Sequence, residues 1–357
     1  MAKTLYILAP YPLGQGPSQR FRFEQYLEDF EKNGYEVKFH SFLSDKTWDA
    51  LYRNGTFFKK AFGIIGSFFR RTGLLFKLRK ADIIFIHREA SMIGPPIFEW
   101  WIAKILRKPF IYDFDDAIWL PNYSDSNARF HRLKAYGKVR KIMKWAKEIS
   151  AGNDYLVDFA KQYNESVRKI PTTIDTINVH NIPVDHSNSK LIIGWTGSHT
   201  TMNYLQKIGP VIRRLEEKYD FEFRVISNHK PELDLKSFVY VPWSKEDEIE
   251  QLSKIQIGVM PLVDNVWIQG KCGFKALQYM SLGAAAVVEN IGANPDIITD
   301  GTNGMLCSTE QEWYEKLETL LTNSQLREQL GKAGMKTVEN SYSANAQLSN
   351  YLDLLSS

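Results

Sequence analysis

The sequence contains few features of a secreted or membrane-spanning protein. Only two cysteines, Cys272 and Cys307, occur in 357 residues, which is too few for a disulfide framework and favours a reducing compartment. The N-terminal apolar run, Leu5 to Ala9, is much shorter than the core of a signal peptide. No segment approaches the roughly 18 apolar residues of a transmembrane helix. We therefore expect a cytoplasmic protein without a membrane-spanning segment.

The net charge is also small, +4, but its distribution is uneven. Residues 57 to 80 contain seven lysines and arginines, many large apolar residues and no acid. Basic, aromatic-rich amphipathic segments are typical of surfaces that bind an anionic bilayer, here through Lys59, Lys60, Arg70 and Arg71. The alternative is a helical hairpin that packs its apolar side onto the domain core. No recognition motif accompanies the charge, so we do not expect nucleic-acid binding.

Apolar strands alternate with helical stretches along the whole chain, which predicts parallel α/β architecture in two doubly wound domains. A helix is expected from about Arg20 to Asn33, and the polar stretch Asn181 to Ser189 is typical of a linker. We predict domains over residues 1–185 and 186–340, followed by a terminal helix over residues 341–357. The predicted strands are Lys3–Pro10, Tyr35–Phe42, Ile83–His87, Phe110–Phe114, Glu148–Ala151, Val167–Ile170, Leu191–Trp195, Phe221–Ile226, Phe238–Val241, Ile257–Met260 and Ala285–Val288.

A glycine-flanked basic loop, residues 270 to 275, precedes a short helix that ends at Gly283. A glycine loop that leads into a helix presents free backbone N–H groups and the positive end of the helix dipole to an anion. Lys271 and Lys275 are four residues apart and therefore add two ammonium groups on one side. This arrangement is typical of a pyrophosphate site. The alternative is a surface turn with two solvated lysines.

The order of this loop, the helix, a buried strand and two further segments resembles the C-terminal half of family 4 glycosyltransferases of the group 1 type. The further segments are Ile291–Ile298 and Asp300–Gly304, and N-terminal pieces resemble the same family in register: Gly16–Arg22, His87–Ala90, Asp113–Ala117 and Pro171–Asp175. The resemblance implies the GT-B fold, in which two Rossmann-like domains face each other across a cleft and the last helix crosses back. It also implies an acceptor-binding first domain, a second domain that binds a nucleotide-sugar, and a retaining reaction that generally needs no metal.

On the donor side, the resemblance assigns several loop residues to the nucleotide-sugar. Gly197, Ser198 and Thr200 follow a predicted strand and could contact a phosphate, although a plain strand-to-helix turn is the alternative. Trp243 and Trp267 offer stacking faces, with a role as core residues as the alternative. The remaining donor-binding candidates are Asp264, Gly270, Gly273, Phe274 and Gln278.

The family's usual donor motif has two glutamates, and this chain has neither. The aligned positions hold Gly270 and Gln278. Gln278 retains an amide oxygen that can accept a hydrogen bond from a ribose hydroxyl. No residue replaces the contact that the first glutamate makes to the sugar. The identity of the sugar and the question of whether the protein is active therefore both stay open.

On the acceptor side, Gly14 and Gly16 open a predicted helix and would let the backbone approach the donor phosphate. Arg20 and Arg22 either reach the cleft and contact the acceptor, or are surface residues at the start of the helix. His87 ends a predicted strand, where it could accept a proton from the acceptor or serve as a structural histidine.

The segment Asp113-Phe114-Asp115-Asp116 contains an Asp-x-Asp sequence. In the other glycosyltransferase architecture, GT-A, such carboxylates hold a divalent ion. Here the segment follows a strand of the first domain, near the position where family 4 enzymes commonly have a histidine. We therefore prefer a role for Asp115 and Asp116 in binding sugar hydroxyls or activating the acceptor, without metal.

These features predict a cytoplasmic, retaining glycosyltransferase of the hexosyltransferase type, peripheral on the inner membrane face. Its donor would be a nucleotide-diphosphate sugar and its acceptor a glycan or lipid-linked glycan, as in bacterial surface polysaccharide synthesis. No other cofactor is expected. The alternatives are a GT-B nucleotide-sugar 2-epimerase and a catalytically silent nucleotide-sugar-binding scaffold.

Overall fold

The structure is a computed structural model that describes residues 2–51, 57–121, 131–187 and 190–357. At Phe57, His131, Arg132, His199 and Thr200 only the backbone is described. The chain divides into two compact units. The first comprises residues Met1–Thr172 and Leu348–Ser357, and the second comprises Thr173–Gln347.

The first unit contains a six-stranded parallel sheet with the strand order β2-β1-β3-β4-β5-β6. Its central strands are almost completely buried, as expected for a parallel sheet covered by helices on both faces. The strands are β1 (Lys3–Ala9), β2 (Tyr35–Ser41), β3 (Ile83–His87), β4 (Ile111–Phe114), β5 (Glu148–Ala151) and β6 (Val167–Lys169). The helices are α1 (Pro17–Arg20), α2 (Leu27–Lys32), α3 (Asp45–Leu51), α4 (Phe57–Lys77), α5 (Ile97–Trp100), α6 (Lys138–Trp145) and α7 (Asp154–Lys161).

The second unit contains another six-stranded parallel sheet, with the order β12-β11-β10-β7-β8-β9. The strands are β7 (Leu191–Gly197), β8 (Phe221–Ser227), β9 (Phe238–Pro242), β10 (Ile257–Met260), β11 (Ala285–Glu289) and β12 (Met305–Cys307). The helices are α8 (Leu205–Glu216), α9 (Glu248–Leu252), α10 (Val266–Gln269), α11 (Phe274–Ser281), α12 (Asn294–Ile297), α13 (Glu310–Thr322) and α14 (Ser324–Thr337). The last helix, α15 (Ala344–Ser356), begins in the second unit and ends in the first.

The predicted fold class is confirmed by these two parallel sheets with flanking helices. The helix predicted from Arg20 to Asn33 is wrong as a single element, because α1 and α2 are separated by a non-helical stretch and a 3₁₀ turn, Glu24–Tyr26. Three consecutive side chains in this stretch, Phe21, Arg22 and Phe23, are all buried, and a helix with one buried face does not allow that. The short strand β12 had not been predicted.

The first unit ends at Thr172, whereas the predicted domain boundary was residue 185. Residues 173 to 185 belong to the second unit because they bond to it, through the Val184 amide to the Leu282 carbonyl at 2.7 Å and through a bridge between Ile174 and Ser343. Residues 348–357 belong to the first unit. There the buried ring of Tyr351 lies 4.5 Å from the ring of Tyr26.

Candidate functional site

The carboxyl ends of β3 and β4 hold a buried histidine–carboxylate pair. Ligands of open α/β sheets bind at this edge. His87 and Asp113 lie opposite each other in the parallel register, and His87 Nδ1 is 2.7 Å from Asp113 Oδ2. Both side chains are fully buried. Burial by itself would raise the pKa of Asp113, but the neighbouring Arg22 and His87 outweigh it and hold that pKa well below its usual range. Asp113 is therefore an ionised carboxylate in the core of the unit.

Arg22 is the main partner of that carboxylate. Its guanidinium donates to Asp113, to the Ile170 carbonyl and, at 2.9 Å, to the Ser150 hydroxyl. The side chain is 0% exposed. Of the two roles left open for Arg22, contact with the acceptor is therefore wrong, because its charge is committed to Asp113 inside the unit.

Ser18 connects this pair to a second carboxylate. Its hydroxyl oxygen is 2.8 Å from His87 Nε2 and 2.6 Å from Asp115 Oδ1. A serine hydroxyl has one hydrogen, so Ser18 can donate to only one of these two groups at a time. The arrangement can therefore pass a proton between His87 and Asp115. The sequence left two roles open for His87, a proton acceptor for the acceptor hydroxyl or a structural histidine. Its side chain is fully buried, and its two ring nitrogens face Asp113 and Ser18.

Arg88 holds both predicted aspartates. Its Nε donates to Asp115 Oδ1 at 2.9 Å, and its guanidinium pairs with Asp116. Its backbone lies in the left-handed region, with φ 58°, directly after the end of β3. Burial would raise the pKa of Asp115, but Arg88 and His87 lower it to about 2. Within the described ranges, no group of three or more His, Cys, Asp or Glu residues is placed to hold a metal ion.

The glycines before this cluster are engaged in packing. Gly14 has φ 76°, and its N–H donates to Glu24 at 2.8 Å, so the phosphate contact predicted for this amide is not available. A Cβ at Gly16 would lie 2.6 Å from the Tyr11 ring, which explains the glycine by close packing. The Arg20 guanidinium lies 4.9 Å from the centre of the Phe21 ring.

In the second unit, the basic loop leads into α11 as predicted. Gly273 caps the helix with φ 65°, and a Cβ there would lie 2.3 Å from Ile297, so both backbone and packing require glycine. Within α11, the Tyr279 hydroxyl accepts from the Thr196 amide at 3.0 Å and lies 3.3 Å from the Val259 carbonyl. Tyr279 is the sixth of the eight residues of α11, so these bonds fix the second half of this helix to β7 and β10.

The two lysines of this loop lie close together. Lys271 Nζ is 5.5 Å from the centre of the Trp267 ring, and Lys275 Nζ is 5.4 Å from that of Trp195. Burial and the charge of Lys271 lower the pKa of Lys275 to about 8. In the part of the chain that the structure describes, no carboxylate pairs with Lys275. An anion bound here would relieve the repulsion between the two ammonium groups.

The other donor candidates are distributed around this loop. Gly197 ends β7, where a Cβ would lie 2.5 Å from the Trp195 ring, and Ser198 is exposed directly after it. The side chain of Thr200 lies outside the described part. Trp243 follows β9 and is exposed, and Asp264 is exposed and accepts from Gln269 at 3.1 Å. Gly270 is buried at the end of α10, and Phe274 is half-buried at the start of α11.

The side chain of Gln278 is buried inside the second unit. It is 2% exposed, and its amide nitrogen is 3.3 Å from Glu248 Oε1. The ribose contact predicted for it is therefore not supported. Sequence reasoning also missed Glu289, which ends β11 in a buried position and pairs with Lys207 at 2.7 Å. A glutamate that ends a buried apolar strand was the available signal.

The basic segment forms one helix and not a hairpin. The inner side of α4 is buried and includes Ser67, Arg71 and Leu74. Arg71 is 3% exposed and donates to the Ala9 and His40 carbonyls, so the prediction that it contacts a membrane is wrong. Arg70 is exposed but donates to the Phe42 carbonyl at 2.7 Å, whereas Lys59 is exposed and Lys60 half-buried.

The outer side of α4 is apolar and faces solvent. Its exposed side chains are Phe58, Phe62, Ile65, Phe69 and Phe76, each between 51% and 75% exposed. Their spacing of three, four and seven residues places them on one helix face. None of the described helices is long and apolar enough to cross a membrane.

Comparison with known proteins bears on both units. Residues 191–323 match the family model of group 1 glycosyl transferases. This range contains the basic loop and the turn after β7, and the match indicates a transferase. No curated protein matches the chain.

Solved structures match almost the entire chain. Sucrose-phosphate synthase from Thermosynechococcus elongatus has a TM-score of 0.70 at 11% identity, with 99% of this chain and 98% of that chain covered. Two six-stranded parallel sheets and a match across both units decide the architecture. The fold is GT-B. A second GT-B match is a glycosyltransferase from Rickettsia africae, with a TM-score of 0.69, 14% identity and coverage of 99% and 97%. A third is HepE from Anabaena in complex with UDP and glucose, with a TM-score of 0.65, 13% identity and coverage of 100% of both chains.

Proposed function

We propose that the protein transfers a sugar from a nucleotide-diphosphate sugar to a glycan or lipid-linked acceptor. The observation that carries this proposal is the Lys271–Lys275 pair at the start of α11, inside the range that matches group 1 glycosyl transferases. Two close ammonium groups, one with a lowered pKa, favour a ligand with two negative charges, such as a diphosphate. The solved complex of HepE with UDP and glucose supports a nucleotide-sugar as the donor.

In this proposal the second unit stabilises the leaving group. As the bond between sugar and diphosphate breaks, negative charge grows on the diphosphate, and Lys271, Lys275 and the first amides of α11 hold it. The end of the loop is constrained before the ligand arrives, because Gly273 has a left-handed backbone packed against Ile297 and Tyr279 fixes the later part of the helix that follows. We further propose that the transferred group is a hexose and that its anomeric configuration is retained, as the resemblance to family 4 implies.

The first unit handles hydroxyl groups in this proposal. The side chains of Asp115 and Asp116 offer oxygen atoms that can accept hydrogen bonds from sugar hydroxyls, and Ser18 can move a proton between Asp115 and His87. Arg88 pairs with both aspartates and offsets part of their negative charge, and we propose that no metal ion is needed there. Activity should accordingly persist in excess EDTA. Loss in EDTA with rescue by Mn²⁺ or Mg²⁺ would overturn this point.

The exposed face of α4 supports a peripheral position on the anionic inner face of the cytoplasmic membrane. Five large apolar side chains project from a helix that carries no acid, which suits insertion between anionic lipids. Replacing Phe58, Phe62 and Phe69 by serine should weaken binding to anionic vesicles. Serine at Ile177, Val179 and Ile182, which are exposed apolar residues of the second unit, is the matched control. Such a location would suit a lipid-linked acceptor, as in bacterial surface polysaccharide synthesis.

The decisive experiment is product analysis after a ligand screen. Nucleoside diphosphates and their sugars are first screened for an increase in melting temperature, because a ligand of the native state raises stability. The best donor is then incubated with and without candidate glycan acceptors. Release of nucleoside diphosphate that depends on the acceptor supports transfer. Isomerisation of the donor sugar would identify an epimerase, and binding without turnover would identify a scaffold.

A further inference from the structure

The first unit contains a second strongly basic feature, an open cavity of about 310 Å³. Five of its eight lining residues are cationic and none is acidic. The lining residues are Ala103, Lys104, Arg107, Lys108, Pro109, Lys144, Trp145 and Lys147. Cations that converge on one cavity create a local positive potential that attracts an anion.

The cations of this cavity have few partners within the protein. Lys108 donates to the Ala81 carbonyl at 2.8 Å, and Lys147 donates to the Ser357 carbonyl oxygen at 2.6 Å. Lys144 Nζ lies 5.7 Å from the centre of the Tyr163 ring. Across residues 2–51, 57–121, 131–187 and 190–357, no carboxylate forms an ion pair with any of the five. A bound anion would therefore complete the charge balance of the cavity.

The nearest acid along the chain is already engaged, and one cation has unusual backbone geometry. Glu148 follows Lys147 directly but pairs with Arg168 and accepts from the Ser357 hydroxyl. Arg107 has φ 51°, in the left-handed region that a non-glycine residue rarely adopts. Strained backbone of this kind is concentrated at ligand sites.

The cavity is separate from the His87–Asp115 cluster. Its residues precede β4 and β5, so the cavity lies at the amino ends of these strands, whereas His87 and Asp115 lie at the carboxyl ends. β4 has four residues, and at about 3.3 Å per residue the two ends of the strand are roughly 10 Å apart or more. A ligand in the cavity would therefore not take part in the chemistry at the carboxyl ends.

Exposed apolar side chains lie close to one of the lining lysines along the chain. Trp100, Trp101 and Ile105 are each more than 40% exposed and adjoin Lys104 on the same helical segment. This segment continues α5, which packs against α4 through Phe98 and Phe68, with ring centres 5.8 Å apart. Free phosphate or a soluble nucleotide gives no reason for solvent-exposed tryptophans, whereas tryptophan is favoured at the interface between lipid and water.

We propose that this cavity binds the phosphate group of an anionic phospholipid, with Trp100 and Trp101 placed in the interface beside it. Lys104, Arg107 and Lys144 contact the phosphate, and the apolar rings contact the acyl boundary. The inference extends the membrane docking proposed for α4 and does not depend on the transfer reaction. The docking proposed for α4 relies on apolar insertion and on general charge. The cavity would add a site that is selective for the lipid head group.

The test measures binding of the full chain to phosphatidylcholine vesicles with and without phosphatidylglycerol, by co-sedimentation. The variant K104Q/R107Q/K144Q removes three cations that make no hydrogen bond to the protein among the described residues. We expect at least about tenfold weaker binding to the anionic vesicles. The control K230Q/K245Q/K332Q removes the same charge from exposed positions of the second unit and should bind within about twofold of the wild type.

A second variant, W100S/W101S, keeps all five cations and should also lose binding to anionic vesicles. Its result stands if the triple variant does not fold, as judged by circular dichroism. Inorganic phosphate is tested separately by its effect on melting temperature. The inference is overturned if both variants bind vesicles as the wild type does. It is also overturned if inorganic phosphate raises the melting temperature of the wild type, the triple variant loses this effect, and vesicle binding of that variant is unchanged. Donor turnover is measured in parallel, so a failure of the transfer proposal is seen independently of lipid binding.

Discussion

The polar cluster of the first unit and the basic loop of the second differ in how their charges are balanced. Around His87, each charged group faces a partner: Arg22 holds Asp113, and Arg88 holds Asp115 and Asp116. In the loop, Lys275 lies beside Lys271, and burial and like charge lower its pKa to about 8. The charges of the first region are balanced without a ligand, whereas an anionic ligand would balance the charges of the second.

This difference separates the energetics of the two regions. A buried, fully paired network fixes the geometry of its members, and removing one partner leaves an uncompensated charge. Two neighbouring cations in a half-buried loop repel each other, which reduces the stability of the free protein and favours the anion-bound form. Substitutions in the first region should therefore be detected in folding, and substitutions in the second region in ligand binding and turnover.

The largest effect should come from breaking the Arg22–Asp113 pair. Arg22→Met leaves Asp113 ionised and buried, and we expect a loss of about 3–5 kcal/mol in the free energy of unfolding. Urea denaturation measures it. Lys32→Ala removes an exposed ion pair of the same unit and should cost at most about 1 kcal/mol. Equal stability of the two variants would show that the buried network is not a determinant of folding.

A smaller effect, confined to function, is expected for the loop lysines. Lys271→Ala and Lys275→Ala should each lower turnover at least about tenfold, or roughly 1.4 kcal/mol of transition-state stabilisation. The free energy of unfolding should stay equal or rise, because one of two repelling charges is removed. Lys254→Ala, which removes an exposed lysine of the same unit, is the control. Unchanged kinetics in both loop variants would remove the loop from the mechanism.

The pH dependence of ligand binding gives a finer test of the same loop. A diphosphate binds the protonated form of Lys275, whose pKa in the free protein is about 8, so affinity should fall as pH rises above that value. We expect about tenfold weaker binding at pH 9 than at pH 7. Titration calorimetry with a nucleoside diphosphate measures it. Lys275→Arg keeps its positive charge at both pH values, so its affinity should change little with pH. Wild-type affinity that does not depend on pH would contradict the lowered pKa of Lys275.

The sequence predicted the parts of the structure that depend on local pattern. The buried strands of a parallel sheet are short apolar runs between turn residues, so eleven of the twelve strands could be located from the sequence. β12 has only three residues and carries little pattern. The basic loop could also be predicted from the sequence, because its glycine and its two lysines, Gly273, Lys271 and Lys275, lie within one turn of the start of the same helix.

Roles that depend on distant contacts could not be predicted in this way. Arg22 is separated from Asp113 by 91 residues, and nothing near Arg22 shows that its charge is internal. Ser18 contacts His87 across 69 residues. Gln278 was assigned through its position in a family motif, but the rotation of α11 turns it towards Glu248.

The path of the last helix has a consequence for biosynthesis. Tyr351 is fully buried against Tyr26 and lies near Phe30 and the Arg22 guanidinium, so residues close to the end of this chain complete the core of the first unit. On the ribosome, the first unit is the first to emerge. It nevertheless cannot close its core until the second unit has been translated. During that interval an apolar surface around Tyr26 stays open, and a truncation that stops before residue 348 would make this nascent state permanent.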